Sequence, residues 1–163
     1  MSSFIAVSGI LTQIQPDVGN GADYGCSMSL TVQTQFQGTT LFTLSGDTYV
    51  VDNTLLRVGD QVTIFYDGNA PVPLIYPPRY KAVVAAKSDV YQYYLGEFYN
   101  DYMSADNALR INGSVPIRFF LPNGQPFPGA IVGKISLVEY RNATRSIPPM
   151  VNPNRVIVFC YSV

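Results

Sequence analysis

Two pairs of carboxylates, Glu97 with Glu139 and Asp101 with Asp106, are the residues of this chain that could carry hydrolytic chemistry, because glycoside cleavage needs one protonated and one ionised acid. Nothing in their spacing sets either pair across a cleft. The chain has no histidine, which removes Ser-His and Cys-His nucleophiles, most zinc sites and the commonest general base. Asp67-Gly68-Asn69, and Asp101 with Asp106-Asn107, offer hard oxygen ligands without the spacing of a calcium loop, so they read as Asx turns. No metal and no cofactor is expected. Cys26 and Cys160 form no CxxC pair; buried thiols are expected, with a disulfide as the alternative. The expectation is a non-catalytic protein, a carboxylate-based hydrolase being the alternative.

Binding chemistry has better material. From Tyr91 to Tyr102 the chain holds more rings than one alternating strand can hide, which makes Tyr91, Tyr93, Tyr94, Tyr99 and Tyr102 candidates for stacking on bases or sugars, or for filling a seam between halves. A second surface is the Pro-rich stretch with Tyr76, Arg79 and Tyr80, and its counterpart later in the chain carries Arg141 and Arg145. A guanidinium beside rings can stack, pair with a carboxylate or meet a phosphate, although hydrogen bonds to loop carbonyls freed by nearby prolines are its favoured role.

These residues must be positioned by strands. Apolar residues fall in short alternating or β-branched runs bounded by Gly, Pro, Asn and Asp, and helix signals are scarce. The pattern predicts strands over Phe4–Ile14, Cys26–Gln35, Thr39–Leu44, Gln61–Tyr66 and Tyr80–Ala86, with a loop over Pro16–Gly21. After Lys87 it predicts Leu95–Met103, Ala108–Asn112, Val115–Leu121, Gly133–Tyr140 and Arg155–Ser162, with a turn at Asn123-Gly124. The segment Val62–Ala85 also aligns without a gap on Ile135–Val158, placing Asn69-Ala70 on Asn142-Ala143 and Leu74 on Ile147. In both copies a Pro-rich crossing joins the last two strands, and those prolines must sit on loops or edges because they lack the donor a central strand needs. The expected fold class is therefore all-β, two five-stranded OB-like barrel units packed in tandem, with residues 1–87 and 88–163 as the two units.

Composition sets further bounds. At 163 residues the halves are small, and one compact body is expected. Hydrophobic residues make up 47% and charged residues only 13%, against about 25% in ordinary domains. The net charge of −1 gives no basis for holding duplex DNA, although Arg118, Arg141, Arg145 and Arg155 all fall in the later half. The opening residues lack a basic segment and a long apolar core, and no stretch reaches membrane-spanning length, so a cytoplasmic protein with no membrane partner is expected.

The segments Tyr66–Tyr80, Ser104–Asn107, Asn123–Phe127 and Thr144–Pro148 together resemble a group of uncharacterised bacterial proteins over nearly the whole chain, a resemblance that implies no particular activity. The five-strand halves separately resemble OB-type barrels, which often bind oligonucleotides or oligosaccharides. The functional expectation is a protein-protein assembly or interaction module, with self-association or a protein partner. The alternative is an OB-type binding module for single-stranded nucleic acid or oligosaccharide (glycan).

Overall fold

The computed structural model describes residues 3–17 and 21–163, so Val18–Asn20 of the expected loop lie outside the described residues. The chain is all-β: among the described residues, helix is confined to single 3-10 turns at Gly21–Asp23 and Val51–Asn53. Its contacts divide it into two compact units, Ser3–Asp89 and a unit built on Val90–Val163.

The first unit is a mixed sheet of β1 (Phe4–Pro16), β2 (Ser27–Gln33), β3 (Thr39–Ser45), β4 (Tyr49–Val50), β5 (Gln61–Asp67), β6 (Arg79–Lys81) and β7 (Val84–Lys87), in the order β4-β7-β5-β1-β2-β3-β6. Alternation decides its faces. Val7 and Leu11 on β1, Leu30 and Val32 on β2, Phe42 on β3, and Val62 and Ile64 on β5 form one buried cluster. Between Leu11 and Gln13 the register with β2 shifts by a bulge, and the extra residue lets Ile14 turn back toward that cluster. Gly9 is required by close approach: a Cβ there would lie 2.4 Å from the Gln33 carbonyl oxygen. The prolines between β5 and β6 stay off the strands, as their missing donor demands.

β6 and β7 are consecutive pieces of one bent segment. Arg79–Lys81 run parallel to β3; Ala82 N–H then donates to Thr43 O and Val83 N–H to Phe65 O, and Val84–Lys87 continue antiparallel to β5.

The second unit holds β8 (Gln92–Glu97), β9 (Arg110–Ile111), β10 (Phe119–Phe120), β11 (Ile135–Tyr140), β12 (Met150–Val151) and β13 (Arg155–Phe159). Its sheets are β10-β13-β11-β8 and a parallel pair β12-β9. Phe98, Leu109, Ile111, Ile131, Val138 and Val156 anchor its core. The pairing scheme of the first unit recurs. β5 and β11 each lie antiparallel to the strand opening their unit and to the strand closing it, β6 and β12 pair in parallel with β3 and β9, and the two-residue β4 and β10 lie parallel to β7 and β13.

Three expectations change. None of the sheets closes into a barrel, and the described residues form seven strands in the first unit and six in the second, where five each are expected: in the first the predicted final strand splits at its bend into β6 and β7 and the short β4 is added, and in the second the short β12 is added. Side-chain alternation says which residues are extended but not which edges meet. The predicted strand Leu95–Met103 instead ends at Glu97, with Tyr102 at φ 63° in the turn that follows. Finally, Phe65 faces Val84 while Val138 faces Val156, so the second crossing is shorter by one residue and the gap-free alignment slips in the last strand.

One polar position separates the two units energetically. Buried Thr63 Oγ1 bonds Ser8 Oγ at 2.8 Å and Ser88 Oγ at 2.9 Å. Ser136 holds the related place on β11, but Gly96 stands opposite it where Ser8 faces Thr63, and its buried hydroxyl has no partner among the described residues. Thr63→Val should therefore cost about 1–2 kcal/mol, whereas Ser136→Ala should be neutral or stabilising by up to about 1 kcal/mol, since an unsatisfied buried hydroxyl carries its desolvation cost with no bond in return. Denaturant midpoints check this; a larger loss for Ser136→Ala than for Thr63→Val would contradict it.

Candidate functional site

The second unit concentrates its polar side chains on one row of its sheet. Val138 faces the core, so Glu139 faces the other way, in register with Tyr93 on β8 and Arg155 on β13. Its carboxylate is only 2% exposed and is saturated with donors. Tyr93 Oη donates to Oε2 at 2.8 Å and Asn154 Nδ2 to Oε1 at 2.6 Å, while the Arg155 fork gives Nε to Oε1 and Nη2 to Oε2, both at 3.0 Å. Arg118 adds a tie, donating from Nε and Nη2 to Asn154 O at 3.3 and 3.1 Å. The arrangement clamps β8, β11 and the turn entering β13. A carboxylate so occupied has no free lone pair with which to take up a substrate proton.

Its intended catalytic partner is remote. Glu97 lies opposite Ile135, four positions down the ladder from Glu139, which is about 13 Å of strand, and glycosidase acids stand about 5–9.5 Å apart. Asp106 is engaged differently: Tyr94 Oη and Ser104 Oγ both donate to its Oδ1 at 2.7 Å, and Ala108 N–H donates at 3.1 Å. Burial alone would raise the Asp106 carboxyl, but these donors outweigh it and hold the group below its usual range. The Tyr94 hydroxyl is pushed up, first by burial and then by its bond to Asp106. Asp101 Oδ1 accepts the Met103 N–H, an Asx turn as its sequence predicted.

The other rings divide by strand face. Tyr94 packs edge-on against buried Phe98, with centroids 5.6 Å apart, and Tyr102 packs on the same core. Tyr93 points to the Glu139 row, and Tyr91 carries the Arg141 guanidinium over its ring at 5.1 Å. Tyr99 is the exposed ring of the set. The structure thus brings Tyr91 together with Arg141, and spends the hydroxyls of Tyr93 and Tyr94 on carboxylates within the unit.

The Pro-rich crossings place their residues outward. Tyr76 is exposed, whereas Tyr80 stacks on Tyr66 with centroids 3.8 Å apart and packs at the core margin. Burial, and then the Tyr80 hydroxyl, push the Tyr66 pKa up to about 12. Arg79 reaches Thr43 Oγ1 at 3.4 Å and Asp17 at 3.9 Å. Arg145 is exposed and makes no hydrogen bond or ion pair among the described residues. At the apex of each crossing stands a fully exposed aliphatic, Leu74 in the first and Ile147 in the second. Local bonds hold both out. Ile75 N–H donates to Pro73 O at 3.0 Å across Leu74, a turn of the tightest kind, and Ser146 Oγ donates to Pro148 O at 2.9 Å across Ile147.

Sequence reasoning missed two features. Arg155 and Asn154 were not among the candidates, although a lone Glu inside the apolar run Ile135–Tyr140 and an Arg opening the next predicted strand were the available signal. Nor was a groove on the first unit, lined by Ala6, Ser8, Gly9 and Ile10 of β1, the stretch from Gln33 to Gln37, and Gln61, with a volume of about 650 Å³. Its signal was the run Gln33-Thr34-Gln35-Phe36-Gln37 together with the small outward pair Ala6 and Ser8 on β1. Cys26 and Cys160, expected to be buried, are both free and exposed, because each lies just outside a strand, where the alternation that would have buried it has ended.

No protein-family model, no curated protein and no solved structure matches the chain. Among the described residues no helix is long and apolar enough to cross a membrane, and no group of His, Cys, Asp and Glu is arranged to hold a metal ion.

Proposed function

We propose that this protein is a non-catalytic interaction module that associates with further copies of itself through the apices of its two Pro-rich crossings. The observation that carries the reading is the pair Leu74 and Ile147, equivalent in the repeat and both fully exposed on hydrogen-bonded, proline-stiffened loops. A large aliphatic held in water forgoes about 1.5–3 kcal/mol that burial would return. A loop already ordered loses less entropy when it docks. Ile75 and Tyr76 continue the apolar surface beside Leu74, and the low charge of the chain suits subunit contacts. Saturation of Glu139 and its distance from Glu97 weigh against a carboxylate-based hydrolase.

The same reading takes each unit as OB-like. Counting a bent final segment as one strand gives the path β1-β2-β3-(β6-β7)-β5 and back to β1, a partly open five-stranded arrangement, and the second unit repeats the sense of the β1-β5, β5-β7 and β3-β6 pairings. Light scattering on the full chain at micromolar concentration tests the functional claim: a defined oligomer is expected, and a strict monomer across the concentration range rejects it.

A further inference from the structure

On the first unit, β1 is paired on both sides, by β2 and β5, and of its outward residues at the groove Ala6 and Ser8 are small, with Ile10 standing at the end. Small side chains leave a hollow where bulky ones would stand, and the loop from Gln33 to Gln37 walls it. At about 650 Å³ it lies within the size of ordinary ligand sites, about 300–1,000 Å³. We infer that this groove binds a neutral oligosaccharide.

The lining combines amides and hydroxyls with the apolar Ala6, Ile10 and Phe36, and holds no charged residue among those described. Gln35, Gln37 and Gln61 leave their side-chain amides without hydrogen bonds among the described residues, and each amide offers paired donor and acceptor groups of the kind that vicinal sugar hydroxyls satisfy. The wall is ordered before any ligand arrives: Thr34 Oγ1 donates to Gly38 O and accepts from Gln37 N–H, both at 2.9 Å. That turn displays Phe36 at the rim, 89% exposed, where its face could stack on the C–H face of a sugar ring. Other polymers fit less well. A nucleic acid would need cations for its phosphates, and the lining has none. A peptide adding as a strand would need a free edge, and both edges of β1 are taken.

The test is calorimetric titration of the full chain with cellohexaose, maltohexaose and xylohexaose, with oligo-dT as the charged arm. Saturable binding to at least one hexasaccharide is expected. Ala6→Tyr, which fills the floor, should abolish it, and Phe36→Ala should weaken it about two- to tenfold, the range for one aromatic contact. Gln37→Ala, on the exposed wall, gives a second reading should Ala6→Tyr disturb folding. No saturable binding to any of the three, affinity unchanged in both Phe36→Ala and Gln37→Ala, or preferential binding of oligo-dT would overturn the proposal. Light scattering decides the assembly reading separately, so either can fail without the other.

Discussion

Glu139→Ala is expected to destabilise the Val90–Val163 unit by about 3 kcal/mol, at the lower end of the range for breaking a buried ion pair because Arg155 keeps 21% of its side-chain surface in water. The loss does not come from the attraction between the charges, since two ions taken from water lose much of what they gain from each other. It comes from what remains after the carboxylate is gone: Tyr93, Asn154 and Arg155 each lose a donor's partner at a position 2% exposed. Tyr93→Phe removes one of these bonds while leaving the ion pair, and should cost about 1 kcal/mol. Urea unfolding followed by tyrosine fluorescence gives both numbers. A loss below about 1 kcal/mol for Glu139→Ala would mean that the row is solvated in solution.

Leu74→Glu with Ile147→Glu should dissociate the proposed oligomer. Burial of two large aliphatics is worth about 3–6 kcal/mol, so replacing both should weaken association by about 10²–10⁴-fold before the cost of desolvating the new charges is added. The fold should be untouched, since both side chains are fully exposed and the bonds shaping the apices run through Pro73, Ile75, Ser146 and Pro148. Sedimentation at several concentrations, with circular dichroism as the control, separates the effects. An oligomer that survives the double change would place its interface elsewhere and remove the role given to the crossings.

Much of the strand inventory was legible, because alternation and proline placement are local. Gln61–Asp67 and Ile135–Tyr140 lie within a residue or two of the runs predicted for them, and the Asn123-Gly124 turn forms, with Leu121 N–H donating to Gln125 O at 2.7 Å. The ring-rich stretch showed the limit. Composition placed many rings between Tyr91 and Tyr102, but whether a ring faces the core, as Tyr94 does, or the polar row, as Tyr93 does, depends on register, and the expected strand extended past its real end at Glu97. The arginines show it again. Hydrogen bonding to a loop carbonyl was the favoured role for Arg79, Arg141 and Arg145, yet Arg118 performs it, while Arg79 reaches Thr43 Oγ1 and Arg141 lies over Tyr91.

What the sequence determined by itself is the all-β class, the positions that had to be loops and the exclusion of histidine chemistry, each of which follows from side-chain type and nearest-neighbour spacing. The tertiary structure alone decided which edges pair, that the last segment of each unit bends to serve two of them, and that Glu139 is consumed by Arg155, Asn154 and Tyr93 from two other strands and a turn. It also decided that small residues on β1 and a polar loop after β2 enclose a groove. Those outcomes depend on contacts between residues far apart in the chain, and alternation along one strand does not specify which strand will lie beside it.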